Sequence, residues 1–442
     1  MLRASTQSLF KRTFTSQTSA KATVTKLSNG VTVATQPSTS PVSSVGVVFG
    51  SGASAENPYN NGVSQVLSNV FIKDDLKAVS KGLQLESFVG KEYQSFISTS
   101  SSIDASLEFL QSEILSNEIS DSVFSSLKEQ TLKATENYET NNHQGRVLQH
   151  LHAAAFQNTP LALPTVGTVE SLINLEKSDL LDFASSQYVG SNAIVVGSGS
   201  NLKHDELVSK VEKLLKFSNG AKPELTKKST FLGSEIRLRD DTLPKAWFSI
   251  AAEGVPLSSP YYYVSQVAAK VFGDYVATEP LSRLQGIKLI DQVNEYGIVD
   301  KYSHFSKSYK DSGLWGFSAE TSNFVQIDDL VHFTLKQWNR LTISVTDLEV
   351  SRAKQSLKLQ IASELNSNAK IINEIGSKSL ASVESKSLDE IFEAIDAISV
   401  KDIKTFASEH LWDRDIAISG AGQIEDLFDY GRIRNEMSMM RW

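Results

Sequence analysis

Asp179-Leu180-Leu181-Asp182-Phe183-Ala184-Ser185 is answered 223 residues later by Asp402-Ile403-Lys404-Thr405-Phe406-Ala407-Ser408. The register holds without a gap to the next extended run, where Val195-Val196-Gly197-Ser198-Gly199 matches Ile418-Ser419-Gly420-Ala421-Gly422. Upstream, Val63-Ser64-Gln65-Val66 recurs as Val264-Ser265-Gln266-Val267, each a few residues after a proline, Pro58 or Pro260. Three matches in the same order, roughly 200 residues apart, mark a duplicated α+β domain; the period is too long for a solenoid built on one supersecondary unit. Asn219, Gly220, Pro223 and three lysines interrupt the pattern between Ser218 and Lys228. The expected organisation is therefore one domain over residues 22–217, a linker over 218–231 and a second domain over 232–442.

Each half carries local signals of its own. Ala22 to Ala34 alternates around Asn29-Gly30, a hairpin signal because both residues tolerate positive φ. Ser44–Gly50 is nearly all apolar and predicts a buried strand. Asn60-Asn61-Gly62 opens a helix with Val63, Val66, Leu67, Val70 and Phe71 at helical spacing. Leu85–Ser100 predicts two strands around Gly90, Ile103 to Gln157 successive helices, and Asn192–Gly199 another strand. In the second half, Asp328 and Asp329 suit the first turn of a helix, and Thr346-x-x-Glu349 is a capping box for a helix to about Leu365. Met437, Met439 and Met440 cluster beside Arg441-Trp442, a composition that suits either a docking element or a tail folded onto its own domain.

Composition excludes several classes of function. The 442 residues include no cysteine, so there is no thiol nucleophile, disulfide framework, thiolate zinc site or iron–sulfur cluster. A net charge of −8 argues against a nucleic-acid binder acting through its overall field. The first acidic residue is Glu56, whereas Arg3, Lys11, Arg12, Lys21 and Lys26 precede it and eleven of the first thirty residues are Ser or Thr. That balance is expected of a mitochondrial transit peptide, with cleavage after Phe14 and residues 1–14 removed. A merely disordered tail is the plainer alternative.

Catalytic motifs are missing. No Gly-x-Ser-x-Gly elbow or Gly-x-x-x-x-Gly-Lys phosphate loop occurs. Of seven histidines only His150 and His152 are neighbours, and spacing i, i+2 puts them on different faces of a helix. No nucleic-acid partner, cofactor or metal is expected.

At Asn60-Asn61-Gly62 the chain resembles the pitrilysin-type processing peptidases. That family carries His-x-x-Glu-His on the helix that follows, two zinc ligands and a general base. Here the matching positions are Gln65, Ser68 and Asn69, amides and a hydroxyl in place of imidazoles and a carboxylate. The family's third ligand, a glutamate on a later helix, aligns with Leu132–Glu136, best at Ala134. Longer blocks, among them Ser44–Gly62, Arg146–Pro164, Gly233–Trp247, Glu279–Leu289 and Ile433–Trp442, are similar to the branch of this family formed by the core subunits of respiratory complex III, the ubiquinol–cytochrome c reductase.

The resemblance implies an α+β fold of two homologous domains, each a mainly antiparallel sheet covered by helices, and a non-catalytic structural role. It further implies pairing with core subunit 2 within a dimeric complex, on the matrix side of the mitochondrial inner membrane, as a peripheral subunit without haem, quinone or iron–sulfur centre. Two alternatives belong to the same family. An active processing peptidase β-subunit needs the two missing histidines. A non-catalytic α-subunit of the soluble processing peptidase would bind presequences and carry a glycine-rich loop, yet Phe272–Ile290 holds only Gly273 and Gly286.

Overall fold

A computed structural model describes residues 21–438 except 39, 74, 116–118, 201, 219 and 224–226. The expected presequence 1–14 and residues 439–442 of the tail lie outside the described residues.

The first half forms a six-stranded sheet of β1 (Thr23–Lys26), β2 (Thr32–Gln36), β3 (Ser43–Phe49), β4 (Gln84–Val89), β5 (Gln94–Ser100) and β6 (Ala193–Ser198), in the order β1-β2-β6-β3-β5-β4. The Asn29-Gly30 hairpin is present: β1 and β2 pair antiparallel, and Gly30 turns with φ +89°. β3 sits between β6 and β5, and every residue of it is buried, which is why its sequence is a continuous apolar run and not an alternation.

The second half repeats the plan with β7 (Glu235–Arg239), β8 (Ala246–Gly254), β9 (Asp274–Val276), β10 (Lys301–Ser308), β11 (Gly313–Thr321) and β12 (Ile416–Gly422), in the order β7-β12-β8-β11-β10-β9. β2-β6-β3-β5-β4 corresponds to β7-β12-β8-β11-β10. In each sheet one parallel contact, β2 with β6 or β7 with β12, adjoins antiparallel neighbours. β1 and β9 are the unmatched strands, one on each outer edge.

The sequence repeats fall on equivalent elements. Helices Lys177–Gln187 and Val400–His410 each begin with a capping box, in which Asp179 accepts from the Glu176 N–H and Asp402 from the Ser399 N–H. The repeated aspartate is thus a helix-start device used twice. Helices Val63–Ile72 and Tyr262–Lys270 are likewise equivalent, and the Thr346/Glu349 box opens helix Asp347–Glu364 as expected.

The two sheets are tied together by an exchange of helices. His143–Ala155, from the first half, lies across the second sheet, where Leu151, Ala154 and Ala155 pack on Ala251, Leu314 and Ala417. Asn368–Leu380, from the second half, lies across the first sheet, where Ala369, Ile371, Ile372 and Ile375 pack on Ala34, Val48, Ile97, Ile194 and Val196.

The C-terminus corrects one expectation. Met437 is only 1% exposed and belongs to the second half's own core, with its carbonyl accepting from the Asp413 N–H. Of the two readings of the tail, Met437 follows the second: its thioether packs in the core of its own domain.

Candidate functional site

Helix Val63–Ile72 is where the peptidase motif would stand. Its start is held by a buried carboxylate. Glu56 accepts from the Gly62 N–H (2.8 Å), the Ser64 N–H (2.8 Å) and the Asn61 Nδ2 (2.7 Å), so donors left free at a helix start meet a negative group. Gly62 has φ +103°, and a Cβ there would come within 2.8 Å of the Leu172 side chain and 3.2 Å of Gly167, so both conformation and space require glycine. Burial pushes the Glu56 carboxyl up to about 7 against the three donors that favour its ionised form. Close by, burial brings the Lys91 ammonium down to about 7, with the Lys307 charge acting in the same direction; Lys91 donates to the Gln149 Oε1 (3.0 Å) and the Leu163 carbonyl (2.6 Å).

The three motif positions lie along this helix. Gln65 and Asn69 are half-buried and one turn apart, on one face; Ser68 is buried. Ser68 Oγ is bonded to Ser87 Oγ of β4 at 2.6 Å. Asn69 Nδ2 donates at 2.7 Å to Thr131 Oγ1 of helix Asp121–Asn141, and Thr131 passes its own hydrogen to the Leu127 carbonyl. The sequence match at Ala134 needs correction: Ala134 is on the outer side of that helix, and the residue that meets Asn69 is Thr131, with buried Thr135 one turn further donating to the Val166 carbonyl. Helical phase, invisible in a gapped match, decides this. Glu136 is exposed and remote from that contact.

A zinc ion does not fit these residues. Amide and hydroxyl groups are weak ligands beside imidazole, two of the three positions have their polar atoms in hydrogen bonds, and no carboxylate stands at the general-base position. Among the described residues no group of three His, Asp or Glu side chains could hold a metal. An open groove of about 580 Å³ beside Asn69, between the two helices, is lined by Ile72, Lys73, Val123, Leu127 and Gln130. Ser122 and Ser126 also line it, and its one amine, Lys73, is paired with Glu113 at 2.5 Å.

His150 and His152 do not converge. His152 is buried; its Nδ1 donates to the Leu148 carbonyl (2.7 Å) and its Nε2 therefore accepts from the Tyr309 hydroxyl (2.6 Å). Burial, helped by the Lys91 and Lys307 charges, holds it well below the usual imidazole range. His150 is lowered by burial and by Arg146. The Phe272–Ile290 segment is ordered into β9, the turn Pro280–Leu284 and the start of helix Lys288–Tyr296, with Arg352 gripping the carbonyls of Val271 and Gly286.

Sequence reading missed Glu56, noting it only as the first acidic residue. The one available signal was a lone acid six residues before a glycine that opens a helix.

The description "Insulinase (Peptidase family M16)" matches residues 32–169, and "Peptidase M16 inactive domain" matches residues 174–357. The chain is 54% identical to cytochrome b-c1 complex subunit 1, mitochondrial, of Saccharomyces cerevisiae, over 98% of this chain and 97% of that one. It is 33% identical to the mitochondrial-processing peptidase subunit beta of Neurospora crassa, over 96% and 92% of the two chains. A chain of complex III2 from Candida albicans, solved with Inz-5 bound, superposes with a TM-score of 0.89 at 41% identity, covering 94% of this chain and all of that one.

Proposed function

The chain belongs to the M16 peptidase family, and from that footing we propose that it is a non-catalytic structural core subunit of the mitochondrial ubiquinol–cytochrome c reductase complex, complex III. It corresponds to core subunit 1 of fungal type, the reading the sequence blocks suggested. The observation that carries it is the helix Val63–Ile72: the fold that would present a metal-bound water is complete, yet Gln65, Ser68 and Asn69 are neutral and two of them are bonded to hydroxyls of neighbouring elements. A chain that keeps its architecture while losing its metal chemistry retains the use of its surface. The 54% identity along the whole length favours the core subunit over the processing-peptidase β-subunit, to which identity falls to 33%.

Its partners are core subunit 2 and the other subunits of a dimeric complex. The chain is mitochondrial, and it sits on the matrix side of the inner membrane as a peripheral subunit. Among the described residues no helix is long and apolar enough to cross a membrane, which supports attachment through other subunits. The domain limits 22–217 and 232–442 are part of this reading, supported by the distribution of strands: β1–β6 lie within residues 23–198 and β7–β12 within 235–422.

The test is extraction in mild detergent with the natural chain tagged. Comigration with haem in a particle of complex III size is expected, with far less than one zinc per chain. A soluble heterodimer free of haem, or stoichiometric zinc, overturns the proposal.

A further inference from the structure

The exchanged helices tie each sheet to the other half of the chain. The central strands β3 and β12 are buried at every residue, on both faces, and one face of each sheet is covered by a helix from the opposite half. The approach is close. At Gly46 of β3 a Cβ would lie 2.8 Å from Ile372, and at Gly376 a Cβ would lie 2.6 Å from Val48, so glycines on both partners let backbone and helix meet.

Polar contacts fix the register of each helix. Asn368, the first residue of its helix, donates to the Val42 carbonyl (3.1 Å) and Ser44 Oγ (3.3 Å) and accepts from Ser38 Oγ (2.8 Å). On the other sheet the His143 ring packs against Trp247, tilted by 32° with centroids 4.3 Å apart, and the carbonyls of Ala154 and Ala155 accept from Ser234 Oγ (2.9 Å) and the Leu232 N–H (2.7 Å). The two helices are repeat equivalents, since His143 and Asn368 start them 225 residues apart, close to the 223-residue period of the duplication.

We propose that the two halves fold and open as one cooperative unit, because each half completes the core of the other through its exchanged helix. The partner surface of each sheet is thus a segment of this same chain. The consequence is that a change in the sequence of one half loosens the sheet of the other. Domains linked only by a flexible connection would open separately, each with its own stability.

The experiment is amide hydrogen exchange on the full chain carrying Ile372→Ala, with Leu151→Ala as its converse. Both side chains are fully buried, in the two cross-half clusters. Ile372→Ala is expected to speed exchange of β3 and β6, in the first half, by roughly tenfold or more, and by a similar factor in β8 and β12. Leu151→Ala should do the same from the other side. Ile372→Val is the milder variant should the alanine chain not fold, with a smaller but equally shared acceleration. Faster exchange confined to one half, whichever it is, or no acceleration in either half, overturns the proposal.

Discussion

Replacing Glu56 by Gln isolates the cost of the buried carboxylate at the head of helix Val63–Ile72. The group is 9% exposed, and burial raises it from an ordinary 4.5 to about 7. A folded-state value above the unfolded one means the native protein binds the proton more tightly. Stability from this group is therefore fully present below 4.5 and is lost as pH rises through 7. Between pH 5 and pH 8 the loss amounts to roughly 2–3 kcal/mol. Glutamine keeps one oxygen for the Gly62, Ser64 and Asn61 donors but cannot ionise, so it gives up a bond worth roughly 1 kcal/mol and escapes the pH term. At pH 5 the natural chain should be the more stable; at pH 8 the Glu56→Gln chain should match or exceed it. Urea unfolding of both chains at the two pH values measures this directly, and the common background of other titrating groups cancels in the difference. Parallel pH profiles would refute the reasoning. Glu56→Ala, which strands the two backbone donors, should cost about 2–5 kcal/mol at pH 5 and less at pH 8, because alanine also escapes the pH term.

Restoring the ligand types with Gln65→His, Ser68→Glu and Asn69→His should yield no peptidase activity, because Thr131 and Thr135 stand on the facing helix where a third carboxylate and its supports are needed; zinc-dependent cleavage of a presequence peptide would contradict this. His304 is buried between aromatic rings, accepting from Trp338 Nε1 (2.7 Å), and burial holds it well below its ordinary 6.5. The unfolded chain takes up the proton as pH falls below 6.5, so stability is lost on acidification, and His304→Gln should flatten that fall in thermal melts from pH 7 to 5. Met437→Ala should cost about 2–5 kcal/mol through the cavity it leaves, read as a lowered Tm of the isolated chain; a Tm within a degree of the natural one would return Met437 to the docking role.

The scaffold role and the fold are linked through the helix exchange. A structural subunit must hold its surfaces in a fixed relation, and two halves joined by a single loop would turn freely against each other. Exchanged helices with apolar undersides and polar first residues remove that freedom. The helix Val63–Ile72 contributes in the same sense: Ser68 ties it to β4 and Asn69 to helix Asp121–Asn141.

What the sequence alone determined is whatever is carried by neighbours along the chain. The Asn29-Gly30 hairpin, the nearly all-apolar β3, the helix phase of Val63–Phe71, the capping box at Glu349, and the duplication were legible because each rests on backbone preferences, periodicity or repetition along the chain. The residue types at the motif positions, Gln65, Ser68 and Asn69, were readable once the resemblance at Asn60-Asn61-Gly62 had placed them. Only the tertiary structure decided that Glu56 binds the donors of Gly62 and Ser64, that Thr131 and not Ala134 faces Asn69, that Met437 is interior, and that each half lends a helix to the other's sheet. These depend on helix rotation and on contacts between segments far apart in the chain, such as the 330 residues from Ser38 to Asn368, whose pairing free energy leaves no local pattern in either segment.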